Sequence, residues 1–116
     1  PDRPVLALLG DGGAAYTIQS LWTQARENLN VVTLIFANNS YNILNVEYTR
    51  LGVTEVGEIA ASLFDMSNPT IDWVSIANGF GIEGAYADTS EDLCDLLETA
   101  YEADGPFLIQ ANIKDR

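Results

Sequence analysis

A chain of 116 residues is long enough for one domain with a packed core, and a hydrophobic fraction of 47% excludes a wholly disordered one. Seventeen acidic residues against five basic ones leave a net charge of −12, a field that repels nucleic acid and anionic membrane surfaces. With no histidine the chain can build no His-Cys zinc site, no Ser-His-Asp triad and no Cys-His dyad. Its one cysteine, Cys94, forms no internal disulfide, which points to a reducing, cytoplasmic compartment.

Val5 to Leu9 is a continuous apolar run ended by Gly10 and reads as a strand buried on both faces of a parallel sheet. Ala14 to Asn28 places Ile18, Leu21, Trp22 and Ala25 at helical spacing, and Asn28-Leu29-Asn30 closes that helix. Val31 to Ala37 is a second buried strand, so the first third reads as a βαβ unit with its crossover. The middle is less regular, with short helices expected at Ile43 to Arg50 and Glu58 to Phe64, and a loop from Met66 to Pro69. Asp72 is placed to cap a helix running from Trp73 to Phe80, and Gly81 to Ala87 reads as a third strand. Thr89 or Ser90 caps the clearest helix. Glu91 and Asp92 sit in its first turn, Leu93, Leu96, Leu97, Ala100 and Tyr101 form its apolar stripe, and Gly105-Pro106 stops it. Phe107 to Ile113 is the fourth strand. The expected fold is α/β, a parallel sheet flanked by helices, in a single domain spanning residues 1–116 with no repeat or linker. No apolar run approaches the roughly 18 residues that a membrane span needs, and no signal peptide is visible.

The densest chemical signal is the turn Gly10-Asp11-Gly12-Gly13-Ala14-Ala15, between a strand and a helix. Glycines there let the backbone approach an anion, and the first-turn N–H groups point at it, so a phosphate is the natural guest. The string fits the dinucleotide fingerprint G-x-G-x-x-A. That fingerprint expects an acidic residue after the second strand, where this chain has Asn38 and Asn39. The other reading makes Asp11 a metal ligand. Asp11 and Asn38 end neighbouring parallel strands, at the edge where ligands bind. A carboxylate, an amide oxygen and a loop carbonyl form an all-oxygen set suited to Mg²⁺ or Ca²⁺. Taken singly, Asp11 is a helix cap and the paired asparagines are turn formers. Trp22 and Trp73 read as core or interface residues. Cys94, between Asp92 and Asp95, reads as unreactive, and the acidic runs as solvated surface.

The stretch G-D-G-G-A-A-Y-T-I-Q-S-L-W-T-Q-A, followed by A-N-N-S-Y-N-I-L, resembles the thiamine-diphosphate-binding motif of enzymes related to acetolactate synthase and benzoylformate decarboxylase. The resemblance runs from Pro4 to Ile113, and the spacing from Asp11 to Asn38 agrees with the family's. It implies thiamine diphosphate and Mg²⁺ as cofactors. Asp11, the Asn38 side chain and the Ser40 carbonyl would be the metal ligands, with Asn39 and Tyr41 as the alternative register. Gly10, Gly12 and Gly13 would lie at the diphosphate, with Tyr16 beside it or packed in the helix. Ile43 and Leu44 would lie near the thiazolium ring, and Tyr41 would also belong to the cofactor site. Leu44 stands where the pyruvate decarboxylase branch carries glutamate, which favours an acetolactate-synthase-like or benzoylformate-decarboxylase-like enzyme. The implied activity is decarboxylation of a 2-oxo acid, with or without carboligation. The activating glutamate would come from a pyrimidine-binding domain of the same or another subunit in a homo-oligomer, so no residue of this chain is assigned as catalytic. The start at Pro1 instead of methionine fits an incomplete cofactor-binding fold within a parent enzyme several times longer, and the isolated chain is expected to be inactive. A stand-alone or oligomerising module without activity is the competing expectation.

Overall fold

The computed structural model describes residues 3–113. The elements in chain order are β1 (Val5–Gly10), α1 (Asp11–Thr17), α2 (Ser20–Arg26), β2 (Val31–Ala37), α3 (Asn42–Arg50), α4 (Glu58–Phe64), α5 (Trp73–Gly79), β3 (Glu83–Ala87), α6 (Ser90–Glu102) and β4 (Phe107–Asn112). They form two compact units: Pro1–Asn38 with Asp72–Arg116, and Asn39–Ile71. The first unit holds a four-stranded parallel sheet of order β1-β2-β4-β3, confirming the α/β class.

Alternation along the strands builds two cores. Val32 and Leu34 of β2, Ala87 of β3, and Phe107, Ile109 and Ala111 of β4 share one face. There Leu93, Leu96, Leu97 and Ala100 of α6 pack on them. The intervening residues Thr33, Ile35, Leu108 and Gln110 are also buried and face the other side. On that side Gln24 of α2 meets Thr33 across 3.2 Å, and the Gln110 Oε1 accepts the Trp73 backbone N–H at 3.0 Å, tying the start of α5 to β4. A Cβ on Gly84 would sit 3.3 Å from both the Leu108 carbonyl oxygen and Val74 Cγ1, so glycine permits the close approach of α5 to the sheet.

Two expectations are corrected. β1 is not buried on both faces: it is the sheet's edge, with Val5 51% and Leu8 60% exposed. Its composition is that of an interior strand, but burial follows strand order. The single helix expected from Ala14 to Asn28 begins at Asp11 and is two helices. They are joined by a tight turn in which Leu21 and Trp22 donate to the carbonyls of Ile18 and Gln19. The adjacent β-branched residues Thr17 and Ile18, poor helix formers, lie at this break. Of the two tryptophans read as core or interface residues, Trp73 is fully buried and Trp22 is half exposed under the Arg26 guanidinium. Smaller shifts are a β3 starting at Glu83 and a half-exposed Tyr101 at the end of the α6 stripe.

The caps were legible. Thr89 and Asp92 form a reciprocal capping box on α6. Asp72 caps α5, accepting the Ser75 N–H at 2.9 Å and Oγ–H at 2.6 Å, and also the Tyr86 hydroxyl at 2.7 Å. The Ser75 hydroxyl, then the Tyr86 hydroxyl, hold the Asp72 carboxyl below its ordinary 3.8. The same bond raises Tyr86 above 10.0. The Asp72 contribution to stability is therefore complete above the ordinary carboxylate value and lost as pH falls through the lowered one. The Tyr86 contribution is lost as pH rises through its raised value. In thermal unfolding, Tyr86→Phe should lower Tm at neutral pH, with the gap to wild type narrowing in acid below 3.8 and in alkali above 10.0.

Gly105, after α6, has φ +127°, and a Cβ there would lie 2.5 Å from Asn28 Oδ1. Gly105→Ala should destabilise the chain by more than the ~1 kcal/mol expected of backbone conformation alone, as read by chemical denaturation.

Candidate functional site

The parallel pairing of β1 with β2 sets Gly10 opposite Phe36. Asp11 directly follows Gly10, and Asn38 follows Ala37 at the end of β2, so both lie at the carboxyl ends of adjacent strands. Asp11 is 3% exposed and Asn38 is half-buried. Asp11 does not act as the N-cap; Gly10 holds that position and no side chain caps the helix. Asp11 is instead the first helical residue, and one of its carboxylate oxygens, Oδ1, accepts the Gly12 N–H at 2.8 Å. A Cβ built on Gly10 or Gly13 would meet nothing within 4 Å, so open space adjoins the turn on both sides of Asp11. Gly12 is buried, and Tyr16 is 77% exposed, so it does not pack in a helix core.

Ser40, Tyr41, Ile43 and Leu44 belong to the second unit. There the chain following Asn39 is pinned to the segment around Asp65. Ser40 forms an antiparallel bridge with Asp65, the Tyr41 N–H donates to the Phe64 carbonyl at 2.8 Å, and the Met66 N–H to the Asn39 carbonyl at 2.9 Å. Tyr48 packs its ring against Phe64 at 5.4 Å. Tyr41 is half-buried, while Ile43 and Leu44 at the start of α3 are exposed, as are Leu51 and Val53 after it.

Among the described residues no three His, Cys, Asp or Glu side chains converge on a point. An oxygen-only set with a single carboxylate would not show itself that way. None of the helices is long and apolar enough to cross a membrane among the described residues.

The comparisons place the chain in a family. Residues 1–111 match the family described as "Thiamine pyrophosphate enzyme, C-terminal TPP binding domain". The chain belongs to this family. It is 48% identical over 110 residues to IlvX of Mycobacterium tuberculosis, which is named for an acetolactate synthase large subunit. That match covers 94% of this chain and 21% of IlvX. It is 36% identical to a benzoylformate decarboxylase of Pseudomonas aeruginosa, covering 95% of this chain and 20% of that protein. Among solved structures, a thiamine diphosphate-dependent 4-hydroxybenzoylformate decarboxylase of Rhodococcus jostii RHA1 superposes with a TM-score of 0.87 at 34% identity, over 100% of this chain and 21% of that one. The chain thus spans about a fifth of the length of these relatives, in the part that binds the cofactor.

Sequence reasoning missed a chain of polar groups at the same sheet edge. Gln110 Nε2 donates to Asn112 Oδ1 at 2.9 Å, and Asn112 Nδ2 to Asp88 Oδ1 at 2.7 Å. The signal was Gln110 itself, a lone polar residue inside the run Phe107-Leu108-Ile109-Gln110-Ala111. Asp88 and Asn112 border a cleft of about 410 Å³ floored by Phe36, Ala111 and Leu93. The left-handed backbone of Asn39, with φ 55°, was also missed.

Because nothing of the fold occupies the space beside Gly13, Gly13→Ala should leave thermal stability unchanged or raised by up to ~1 kcal/mol, the usual gain of alanine over glycine in a helix. A clear fall in Tm would mean that the glycine serves packing.

Proposed function

We infer that the chain holds the diphosphate of thiamine diphosphate through Mg²⁺, within a 2-oxo acid decarboxylase or carboligase of the acetolactate-synthase-like type. The observation that carries this reading is the placing of Asp11 and Asn38 at adjacent carboxyl ends of β1 and β2, with open space at Gly10 and Gly13. One carboxylate and one amide oxygen, with the Ser40 carbonyl as third protein ligand, are hard donors that leave room for two diphosphate oxygens and water, as Mg²⁺ favours. Gly12 and Gly13 offer backbone to the diphosphate at the start of α1, and exposed Tyr16 is free to reach outward from it. Ile43 and Leu44 would lie near the thiazolium ring, with Tyr41 also at the cofactor, and Leu44, in place of glutamate, sets the chain apart from pyruvate decarboxylases.

When bound, the cofactor supplies the electron sink that makes decarboxylation of a 2-oxo acid feasible. The contribution of this chain is anchoring. It has no histidine and no carboxylate that the motif assigns to activating the aminopyrimidine. That role falls to a pyrimidine-binding domain of the same or another subunit in a homo-oligomer, in the cytoplasm. The second reading, an inactive module that associates through apolar surface, is favoured by the exposed side chains of β1, Val5 and Leu8 above all.

Calorimetry separates the two. The 116-residue chain should bind thiamine diphosphate weakly and only with Mg²⁺, with Kd on the order of 0.1–1 mM. It should release no carbon dioxide from a panel of 2-oxo acids. Asp11→Ala should abolish binding. Gly13→Val should weaken it while the chain stays folded by circular dichroism. Metal-independent binding would remove the role given to Asp11, and turnover by the purified chain would overturn the anchoring reading.

A further inference from the structure

We propose that the bare edge of β1 is a docking surface for a second copy of this chain, the two β1 strands pairing antiparallel about a two-fold axis through Ala7. This rests on the second reading above, association through the apolar side chains of β1, and gives that reading a geometry. The Val5 N–H donates to the Asn30 carbonyl at 3.1 Å, in the register that sets Val5 opposite Val31. Along a parallel strand the bonding groups alternate sides. Val5, Ala7 and Leu9 therefore turn theirs toward β2, while Leu6 and Leu8 turn theirs out of the sheet. Edges of this kind are usually blunted by a charge, a proline or a bulge. Val5 to Gly10 carries no charged residue and no proline, and its register against β2 is unbroken. The pairing stretch is bounded at its start by Pro4, on the outward side and without an N–H to give. The other edge, β3, is shorter, carries Glu83 and ties its Tyr86 to Asp72.

The edge is complementary to itself. Opposed residues of an antiparallel pair point to the same face, and a two-fold axis normal to the sheet keeps the faces of the two copies matched. With the axis through Ala7, Leu6 stands opposite Leu8 of the second copy, and Leu8 opposite its Leu6. These are the outward-turned residues, so each such pair exchanges two backbone bonds. Ala7 meets Ala7 at the closer, non-hydrogen-bonded position, where a small side chain fits. Leu6 and Leu8 share the face of Val32 and Leu34, on which α6 packs, and are 37% and 60% exposed. There the leucines of the two copies would cover one another, and on the opposite face Val5 would lie against Leu9. The exposed side chains of Val5, Leu6, Leu8 and Leu9 amount to on the order of 300 Å² per copy. Two such faces fall short of the ~1,000 Å² of a tight interface, so the dimer is weak. Pairing β1 with β1 uses up the edge of both copies, so association stops at two.

The experiment is sedimentation equilibrium of the 116-residue chain from about 10 µM to about 1 mM, with amide hydrogen exchange at both ends of that range. A monomer–dimer equilibrium is expected. It should tighten severalfold from roughly 0.1 M to roughly 1 M salt, because copies of net charge −12 repel and salt screens that repulsion. The Leu6 and Leu8 amides should gain protection as concentration rises, while Ala7 and Leu9 are protected by β2 throughout. Leu8→Lys, which puts a charge among the leucines, should weaken association by about tenfold or more. Leu6→Pro removes an outward donor without touching the β1–β2 ladder and should do the same. Ile59→Lys, at a more exposed side chain of the other unit, should leave association unchanged. Where neither β1 variant folds by circular dichroism, the concentration dependence at the Leu6 and Leu8 amides decides. A chain that stays monomeric at the highest concentration overturns the proposal and the second reading together. Association that survives both β1 variants, grows past the dimer, or leaves the Leu6 and Leu8 amides exchanging freely overturns the edge pairing alone, and the second reading then stands on another surface.

Discussion

The register of β1 against β2 is the constraint on which the candidate site depends. In a strand, a slip of one residue sends every side chain to the opposite face. β2 cannot slip, because Val32 and Leu34 are locked in the core under α6 while Thr33 and Ile35 are buried on the other face. Each such apolar side chain is stabilised by about 1.5–3 kcal/mol on burial, so a shift of β2 would forfeit several of these at once. β1 takes its register from β2 through six paired positions, Val5 with Val31 up to Gly10 with Phe36. The alignment of Asp11 with Asn38 is thus enforced by the packing of the sheet.

The strands and capped helices were readable because their signals are local. Apolar runs marked β1 and β2, and Asp72 and Thr89 announced two helices. What the chain does not carry locally is strand order. Val5–Gly10 and Val31–Ala37 look alike in sequence, yet one is an edge and the other is packed on both sides. Likewise the sequence singled out Asp11 and Asn38, but not that Asp11 would be buried with its Oδ1 engaged by the Gly12 N–H. The left-handed turn at Asn39 was concealed for a different reason: asparagine is common in turns of every kind, and its identity does not say which φ it adopts.

The residues assigned to the cofactor divide between supports of different character. Asp11 and Asn38 stand on the sheet. Ser40, Tyr41, Ile43 and Leu44 stand on the Asn39–Ile71 unit, whose helix α3 has no buried residue and whose order rests on Phe64, the Tyr48 ring and a few backbone bonds. Few buried contacts mean a low cost of local opening.

The chain's charge bears on how such a site can work at all. It has five basic residues, Arg3, Arg26, Arg50, Lys114 and Arg116, and none lies in the glycine turn or the Asn38–Leu44 loop. Arg26 and Arg50 are each engaged by an acidic neighbour, Glu27 and Glu47. A diphosphate approaching a protein of net charge −12 would meet the Asp11 carboxylate with no lysine or arginine of the motif to offset it. At a few ångströms, two like charges in a partly buried site repel by several kcal/mol, more than two or three backbone N–H bonds return at about 1 kcal/mol each. A divalent cation between carboxylate and diphosphate reverses the sign of that term. On the proposed reading the metal would be the electrostatic condition for binding rather than an aid to it.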